Sequence, residues 1–170
     1  MRRPWPETTP ARGVFLLAIA ADLGHLAEKG ELMVVCQGLA VPLQVAFGNG
    51  TFSGVCDATP DKGGAGQGFR PHELLEAALG SCLVMVMTKY ALAHAIPLVR
   101  AGVTVTLDRS DSEVAAYGCT VALEGDLTEE ERRKILRAAR ACPVRRTLGC
   151  RVVVTEEMDE KDACRRRLGA

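Results

Sequence analysis

The stretch PHELLEAALGSCLVMVMTKYALAH, residues 71–94, decides the fold of this chain. Its first residue, Pro71, suits the start of a helix, because the first helical position needs no backbone N–H donor. The Ile-Pro-Leu sequence that follows ends the helix near His94. Residues 79–93 are apolar on nearly every helical face, so the helix must be covered on all sides. We expect a second copy of the chain to supply part of that cover by packing its own helix alongside.

Strand patterns lie on both sides of this helix. Residues 31–59 contain short runs rich in Val, Leu and Phe, and Asn-Gly at 49–50 favours a tight hairpin between two of them. A glycine-rich loop, residues 60–69, leads into the helix. Residues 100–110 and 114–126 alternate as two further strands joined by a polar turn.

A second helix begins at Thr128, because Thr128 and Glu131 form a capping-box pattern ahead of an amphipathic run. Pro143 is predicted to stop that helix directly after Cys142, and residues 149–157 are predicted to form a last strand. Three strands, a helix, two strands, a helix and a strand predict an α+β domain rather than an alternating doubly wound fold.

Composition excludes several classes of protein. The 170 residues are enough for one domain with its own core, and 21 basic residues balance 21 acidic ones. We therefore expect neither nucleic acid nor an anionic membrane as a partner. No fully apolar run approaches the ~20 residues that span a bilayer, which predicts a soluble protein. Seven scattered cysteines without a CxxC motif suit a reducing, cytoplasmic location.

The ends of the chain are predicted to lie outside the domain. Residues 1–30 are predicted to form an N-terminal extension with a potential helix; basic residues precede a short apolar run, as in a signal peptide. Three prolines and Glu7 before that run, and no clean cleavage site after it, favour an extension instead. Residues 31–157 are assigned to the domain and residues 158–170 to a charged, frayed tail.

Two cysteines are candidates for chemistry. Cys82 lies inside the first helix and Cys142 at the end of the second, 60 residues later. A cysteine in an apolar helix is either a small inert hydrophobe or a nucleophile, and spacing alone leaves both interpretations open. The three histidines form no cluster, so neither a metal site nor a Ser-His-Asp arrangement is indicated, and no cofactor is expected.

The paired motifs around these cysteines resemble the OsmC/Ohr family of osmotically inducible and organic hydroperoxide resistance proteins. The resemblance rests on FRPHELLEAALGSCLVMVMTKYALAHAIPL, the alternating strands, LEGDLTEEERRKILRAARACPVRRTL and a closing VVVT. It covers roughly residues 40–155. The resemblance implies an OsmC-like fold, in which antiparallel sheets wrap around two central helices of an intertwined homodimer.

The same resemblance implies a chemistry. Cys82 matches the peroxidatic cysteine and Cys142 the resolving one, so the chain is expected to reduce organic hydroperoxides. A thiolate would attack the peroxide and become a sulfenic acid, which the second thiol condenses to a disulfide. A dithiol reductant would then regenerate the pair.

The supporting residues depart from the family pattern. The family's glutamate, ten residues before the reactive cysteine, is replaced here by His72. Glu73 lies nearly opposite Cys82 on the helix, at about 100° per residue. His72, Glu73 and Arg146 are the candidate supporting residues.

No arginine occurs between Arg12 and Arg70, so the family's activating arginine is absent from the N-terminal strands. Arg70, Arg145 and Arg146 are the possible substitutes. These departures leave an alternative function open. In that alternative, the chain is a non-enzymatic dimeric redox sensor, or a small-molecule-binding protein, of the same fold.

Overall fold

The computed structural model describes residues 33–157, and the predicted N-terminal extension and charged tail lie outside them. The described chain forms two compact units. The first contains the chain up to Gly80 together with Thr104–Thr120, and the second contains Ser81–Val103 and the chain from Val121. The elements in chain order are β1 (Val35–Gly38), β2 (Val45–Gly48), β3 (Ser53–Cys56), α1 (Pro71–Ala93), β4 (Leu98–Asp108), β5 (Ala116–Gly125), α2 (Glu129–Ala138) and α3 (Pro143–Leu148). Helices and antiparallel strands occur together, which confirms the predicted α+β class.

The first unit contains an antiparallel sheet in the order β1-β2-β3. The tight hairpin predicted at Asn49 joins β2 to β3. The Asn49 side-chain oxygen accepts the backbone N–H groups of Thr51 at 3.0 Å and Phe52 at 2.8 Å. Gly50 adopts a φ of 86°, a left-handed conformation that glycine adopts without steric cost.

Helix α1 begins at Pro71, as predicted, and ends at Ala93. Its buried side chains recur every four residues and form one stripe: Leu79, Leu83, Met87 and Ala91. Apolar side chains also lie exposed on its other faces: Leu75, Met85 and Leu92. Within the described part of the chain, the apolar helix is therefore covered on one face only.

By length and composition, α1 is apolar enough to cross a membrane, although the sequence contains no uninterrupted apolar run of that length. Charged and polar residues interrupt its apolar stretch, so a count of uninterrupted apolar residues underestimates the mean hydropathy of the whole helix. The core helix of a soluble protein has the same length and composition.

Strands β4 and β5 pair as a two-stranded sheet. Gly118 of β5 lies against Thr106 of β4, while Gly102 of β4 lies against Ala122 of β5. Positions further along one strand thus face positions further back along the other, as in an antiparallel hairpin.

The predicted capping box of α2 is present. The Thr128 hydroxyl oxygen accepts the Glu131 backbone N–H at 3.3 Å, and a Glu131 carboxylate oxygen accepts the Thr128 backbone N–H at 2.8 Å. Both bonds satisfy N–H groups that would otherwise lack a partner at the helix start.

The end of the chain differs from prediction at Pro143, which starts a helix rather than stopping one. Helix α2 already ends at Ala138, and one turn of 3₁₀ helix, Ala139–Ala141, follows it. Cys142 then adopts an extended ψ of 120° and becomes the N-cap of α3. Proline favours an extended residue before it and the first helical position for itself, which explains both features.

The predicted last strand is also absent, because residues 151–157 form no regular element. Three consecutive valines, Val152, Val153 and Val154, are 70%, 71% and 72% exposed. A strand forms only where another strand supplies backbone hydrogen bonds, and no strand of residues 33–157 pairs with this segment.

Candidate active site

The second unit brings the two predicted thiols together. Cys82 lies on α1 next to the buried Leu83 and is half-buried, whereas Cys142 is 1% exposed. Ile135, Ala139 and Cys142 are buried at spacings of four and three residues, and together they form the inward face of α2 and the turn after it. The apolar periodicity of α2 therefore carries Cys142 into the interior.

Burial raises the pKa of the Cys142 thiol above its ordinary value. The backbone N–H groups of Arg145 and Val144 oppose this effect, since they stabilise the thiolate. The Arg145 N–H lies 3.4 Å from the Cys142 sulfur. A hydrogen bond to Cys82, and the charge that Cys82 carries when ionised, raise the pKa of Cys142 further.

Both contributions of Cys82 favour the protonated form of Cys142. Cys142 is therefore held in its neutral form by burial and by its neighbour.

Glu73 and Arg70 form an ion pair at the start of α1. Arg70 Nη2 lies 2.6 Å and Arg70 Nε 2.9 Å from one Glu73 oxygen, while the other oxygen accepts the Arg70 backbone N–H at 2.8 Å. These bonds lower the pKa of Glu73, and hydrogen bonding to Glu73 raises that of Arg70. His72 is exposed beside this pair.

Arg145 and Arg146 belong to α3 and are exposed. Arg145 reaches the site through its backbone N–H, and the Arg146 N–H donates to the Cys142 carbonyl oxygen at 3.2 Å. The Arg146 side chain makes no ion pair with the residues that the structure describes. Both arginines therefore contact Cys142 through their backbone N–H groups rather than through their guanidinium groups.

Two carboxylates outside the predicted site proved important to the fold of the first unit. Glu76 accepts the Leu107 backbone N–H at 2.8 Å and so connects α1 to the tip of β4. Asp57, only 2% exposed, accepts the side-chain amide of Gln44 at 3.1 Å and the backbone N–H of Gln67 at 2.9 Å. In the sequence, the network around Asp57 is indicated only by a single acidic residue between a strand pattern and the glycine-rich loop.

Within residues 33–157, no group of three or more His, Cys, Asp or Glu side chains is arranged to hold a metal ion. The remaining cysteines of this range, Cys36, Cys56, Cys119 and Cys150, are free thiols. The chemistry available to the thiol pair itself is nucleophilic attack by one sulfur and disulfide formation with the other.

A comparison with known protein families gives one match, which covers more than half of the chain. The family described as OsmC-like protein matches residues 64–157, a range that contains both Cys82 and Cys142. A comparison with curated protein sequences gives no match.

Solved structures of three bacterial proteins share the fold. An OsmC-like protein from Mycoplasma pneumoniae is 19% identical with a TM-score of 0.61, over 69% of this chain and 86% of the other. A protein of Psychrobacter arcticus 273-4, named for osmotic stress induction and a detoxification response, is 18% identical with a TM-score of 0.60, over 70% and 89%. The organic hydroperoxide resistance protein OsmC of Legionella pneumophila is 18% identical with a TM-score of 0.52, over 69% and 88%. The OsmC-like α+β fold that the resemblance implies is thus confirmed for the single chain.

Proposed function

Because the chain belongs to the family of OsmC-like proteins, we propose that it is a thiol-dependent peroxidase that reduces organic hydroperoxides through Cys82 and Cys142. Family membership and the name of the Legionella protein support a role in peroxide chemistry. The observation that carries the proposal is the proximity of two thiols of different exposure, Cys82 half-buried on α1 and Cys142 only 1% exposed after α2. The two thiols therefore differ in access to substrate before any substrate binds.

The proposed reaction begins at Cys82. Its sulfur, as the thiolate, attacks the outer oxygen of the hydroperoxide. A sulfur–oxygen bond forms, the oxygen–oxygen bond breaks, and the alkoxide leaves as an alcohol after taking up one proton. The Cys142 sulfur then attacks the Cys82 sulfenic acid, which forms a disulfide and releases water. A dithiol supplies the two electrons that reduce this disulfide.

Burial of Cys142 suits the resolving role. A thiol with a raised pKa stays protonated, so it does not compete with Cys82 for the peroxide. The backbone N–H of Arg145 then stabilises the Cys142 thiolate that forms as its proton is lost. His72, Glu73 and Arg146 are proposed as supporting residues, with Glu73 holding the Arg70 guanidinium in one orientation.

We propose that the working form is a homodimer. Family members are soluble proteins, and α1 keeps Met85 and Leu92 exposed at 69% and 79%. These residues are seven positions apart on one helical face, where a second subunit could cover them. A cytoplasmic location fits this proposal, because the reaction consumes dithiol reductant.

The function is tested by peroxide consumption with a dithiol present. Cys82→Ser should abolish turnover of an organic hydroperoxide, since an unactivated serine hydroxyl does not attack the peroxide oxygen. Without the dithiol, Cys142→Ser should allow one attack per chain and then leave Cys82 as a sulfenic acid. Cys150→Ser, which removes an exposed thiol eight residues after Cys142, is the matched control and should keep full turnover.

Two results would contradict the proposal. Equal peroxide consumption by wild type and Cys82→Ser would exclude Cys82 as the nucleophile. Binding of an apolar small molecule by both proteins, without peroxide consumption by either, would instead favour the non-enzymatic alternative.

A further inference from the structure

A dithiol can attack either sulfur of a Cys82–Cys142 disulfide, and the two attacks give different intermediates. Attack on Cys82 releases the Cys142 thiolate and leaves the reductant bonded to α1. Attack on Cys142 releases the Cys82 thiolate and leaves the reductant bonded to the residue before α3. The choice between them rests on the proposed function, because it concerns the disulfide that the proposed reaction forms.

Cys142 is enclosed. Its exposed fraction is only 1%, and it continues the inward face formed by Ile135 and Ala139, which are 0% and 8% exposed. Thiol–disulfide exchange requires the attacking sulfur to approach the attacked sulfur on the side opposite the leaving sulfur. A residue with 1% exposure offers no such approach from any side while the protein stays folded.

Cys82 lies at the edge of the buried stripe of α1 and is half-buried. At about 100° per residue, Leu79 and Leu83 lie about 60° and 100° to one side of Cys82 around the helix. Met85, which is 69% exposed, lies about 60° to the other side. The proposed attack on a hydroperoxide already requires an open approach to the Cys82 sulfur, and a reductant thiol needs the same approach.

The surroundings of Cys142 also bear on its departure as a thiolate. Cys142 is the N-cap of α3, and the Arg145 backbone N–H lies 3.4 Å from its sulfur. This N–H group lowers the pKa of Cys142, and the charge of an ionised Cys82, which raises it, is absent while Cys82 is bonded to the reductant. Burial still raises that pKa, so access, rather than the pKa of the leaving thiol, selects the sulfur that is attacked.

We propose that the dithiol reductant attacks Cys82, which is therefore the nucleophile toward the hydroperoxide and the electrophile toward the reductant. A reductant thiolate forms a sulfur–sulfur bond with Cys82 while the Cys82–Cys142 bond breaks. Cys142 leaves as a thiolate and takes up a proton. The second thiol of the reductant then attacks the reductant sulfur of the mixed disulfide, which releases Cys82 as a thiolate. The dithiol has given up two electrons and has become a disulfide.

Trapping with a monothiol tests this order of attack, because a monothiol has no second thiol to resolve the mixed disulfide. The wild-type Cys82–Cys142 disulfide is prepared with diamide, which oxidises thiol pairs, so the reduction step is tested without any hydroperoxide. The accessible free thiols are then blocked with N-ethylmaleimide. After short exposure to 2-mercaptoethanol, the protein is quenched in acid and its peptides are mapped by mass spectrometry. The mixed disulfide on Cys82 should exceed that on Cys142 at least ~10-fold, with Cys142 recovered as a free thiol.

The matched control is the same oxidised protein unfolded in guanidinium chloride. The thiols that unfolding exposes are blocked before 2-mercaptoethanol is added. Both sulfurs of the disulfide are then accessible, so the mixed disulfide should appear on Cys82 and on Cys142. A preference for Cys82 that is present only in the folded protein comes from the structure rather than from the local sequence.

Three results would overturn this order of attack. The first is a folded protein whose mixed disulfide lies mainly on Cys142 or equally on both cysteines. The second is a folded disulfide that gives no mixed disulfide although the unfolded one does, and the third is failure of diamide to link Cys82 to Cys142. A protein that forms the mixed disulfide on Cys82 but consumes no hydroperoxide would support the order of attack and contradict the proposed function alone.

Discussion

At the scale of single residues, burial separates two chemically identical thiols. Cys142 is buried, and Cys82 is half-buried. The sequence shows both cysteines and their motifs, yet the position of Cys142 depends on the 3₁₀ turn and extended Cys142 that precede α3. That turn arises from Pro143 and could not be read from helical periodicity alone.

The influence of Cys82 on Cys142 is measurable. Cys82→Ala removes a hydrogen-bond partner and a nearby negative charge, both of which raise the pKa of Cys142, so that pKa should fall. The ¹³Cβ shift of Cys142 followed against pH reports this titration. Cys150→Ala should leave the titration unchanged, and a Cys142 titration that moves upward in Cys82→Ala would exclude the bond.

Asp57 gives a pH-dependent prediction for the first unit. Hydrogen bonds from the Gln67 backbone, from Gln44 and from the Ala65 backbone hold the pKa of Asp57 below its ordinary value, despite its burial. Because the folded-state pKa is depressed, this contribution to stability is full above the unfolded pKa, about 3.9, and is lost as pH falls through the lower folded value.

Asp57→Asn should therefore lower the Tm at pH 7 and flatten the loss of stability on acidification. Thermal unfolding followed by circular dichroism over pH 2–7 measures both effects. The matched control is Asp126→Asn, because Asp126 is exposed. If Asp57→Asn and Asp126→Asn gave the same curves, Asp57 would have no part in stabilising the loop.

At the scale of elements, local signals located most helices and strands. Pro71, the Asn49-Gly50 turn and the Thr128–Glu131 capping box act through hydrogen bonds within a few residues, so sequence alone predicts them. The segment with three valines shows the limit of such signals. Its composition favours a strand, but pairing depends on a neighbour that residues 33–157 do not supply.

The capping box of α2 should contribute measurably to stability. Thr128→Ala removes the acceptor of the Glu131 N–H and should lower the free energy of unfolding by about 1 kcal/mol. Urea unfolding measures the change. Ser112→Ala, at an exposed position in the loop before β5, is the control and should have a much smaller effect. Equal destabilisation by the two variants would contradict a capping role.

At the scale of the whole molecule, the apolar character of α1 has the largest consequence. The sequence predicts a helix that needs cover on all sides, and residues 33–157 bury one stripe and leave Met85 and Leu92 exposed. The apolar character of the helix already predicts a second copy of the chain as part of that cover, and the family resemblance implies the same homodimer. An apolar surface alone does not specify how two copies pack.

The proposed dimer predicts the effect of a charge on that face. Met85→Asp should shift the protein from dimer to monomer or weaken association strongly, because an unpaired carboxylate in an apolar interface loses its hydration. Sedimentation velocity over a range of concentrations measures this shift. Val114→Asp, at an exposed position in the loop before β5, should leave the association unchanged. A wild-type protein that is monomeric at all concentrations would contradict the dimer.

Peptide mapping after treatment with about one equivalent of an organic hydroperoxide tests the proposed reaction most directly. The expected result is one disulfide that links Cys82 to Cys142, formed without loss of the other thiols and reversed by a dithiol. Cys82 and Cys142 both recovered as free thiols, with the hydroperoxide unconsumed in the presence of a dithiol, would contradict the proposed reaction.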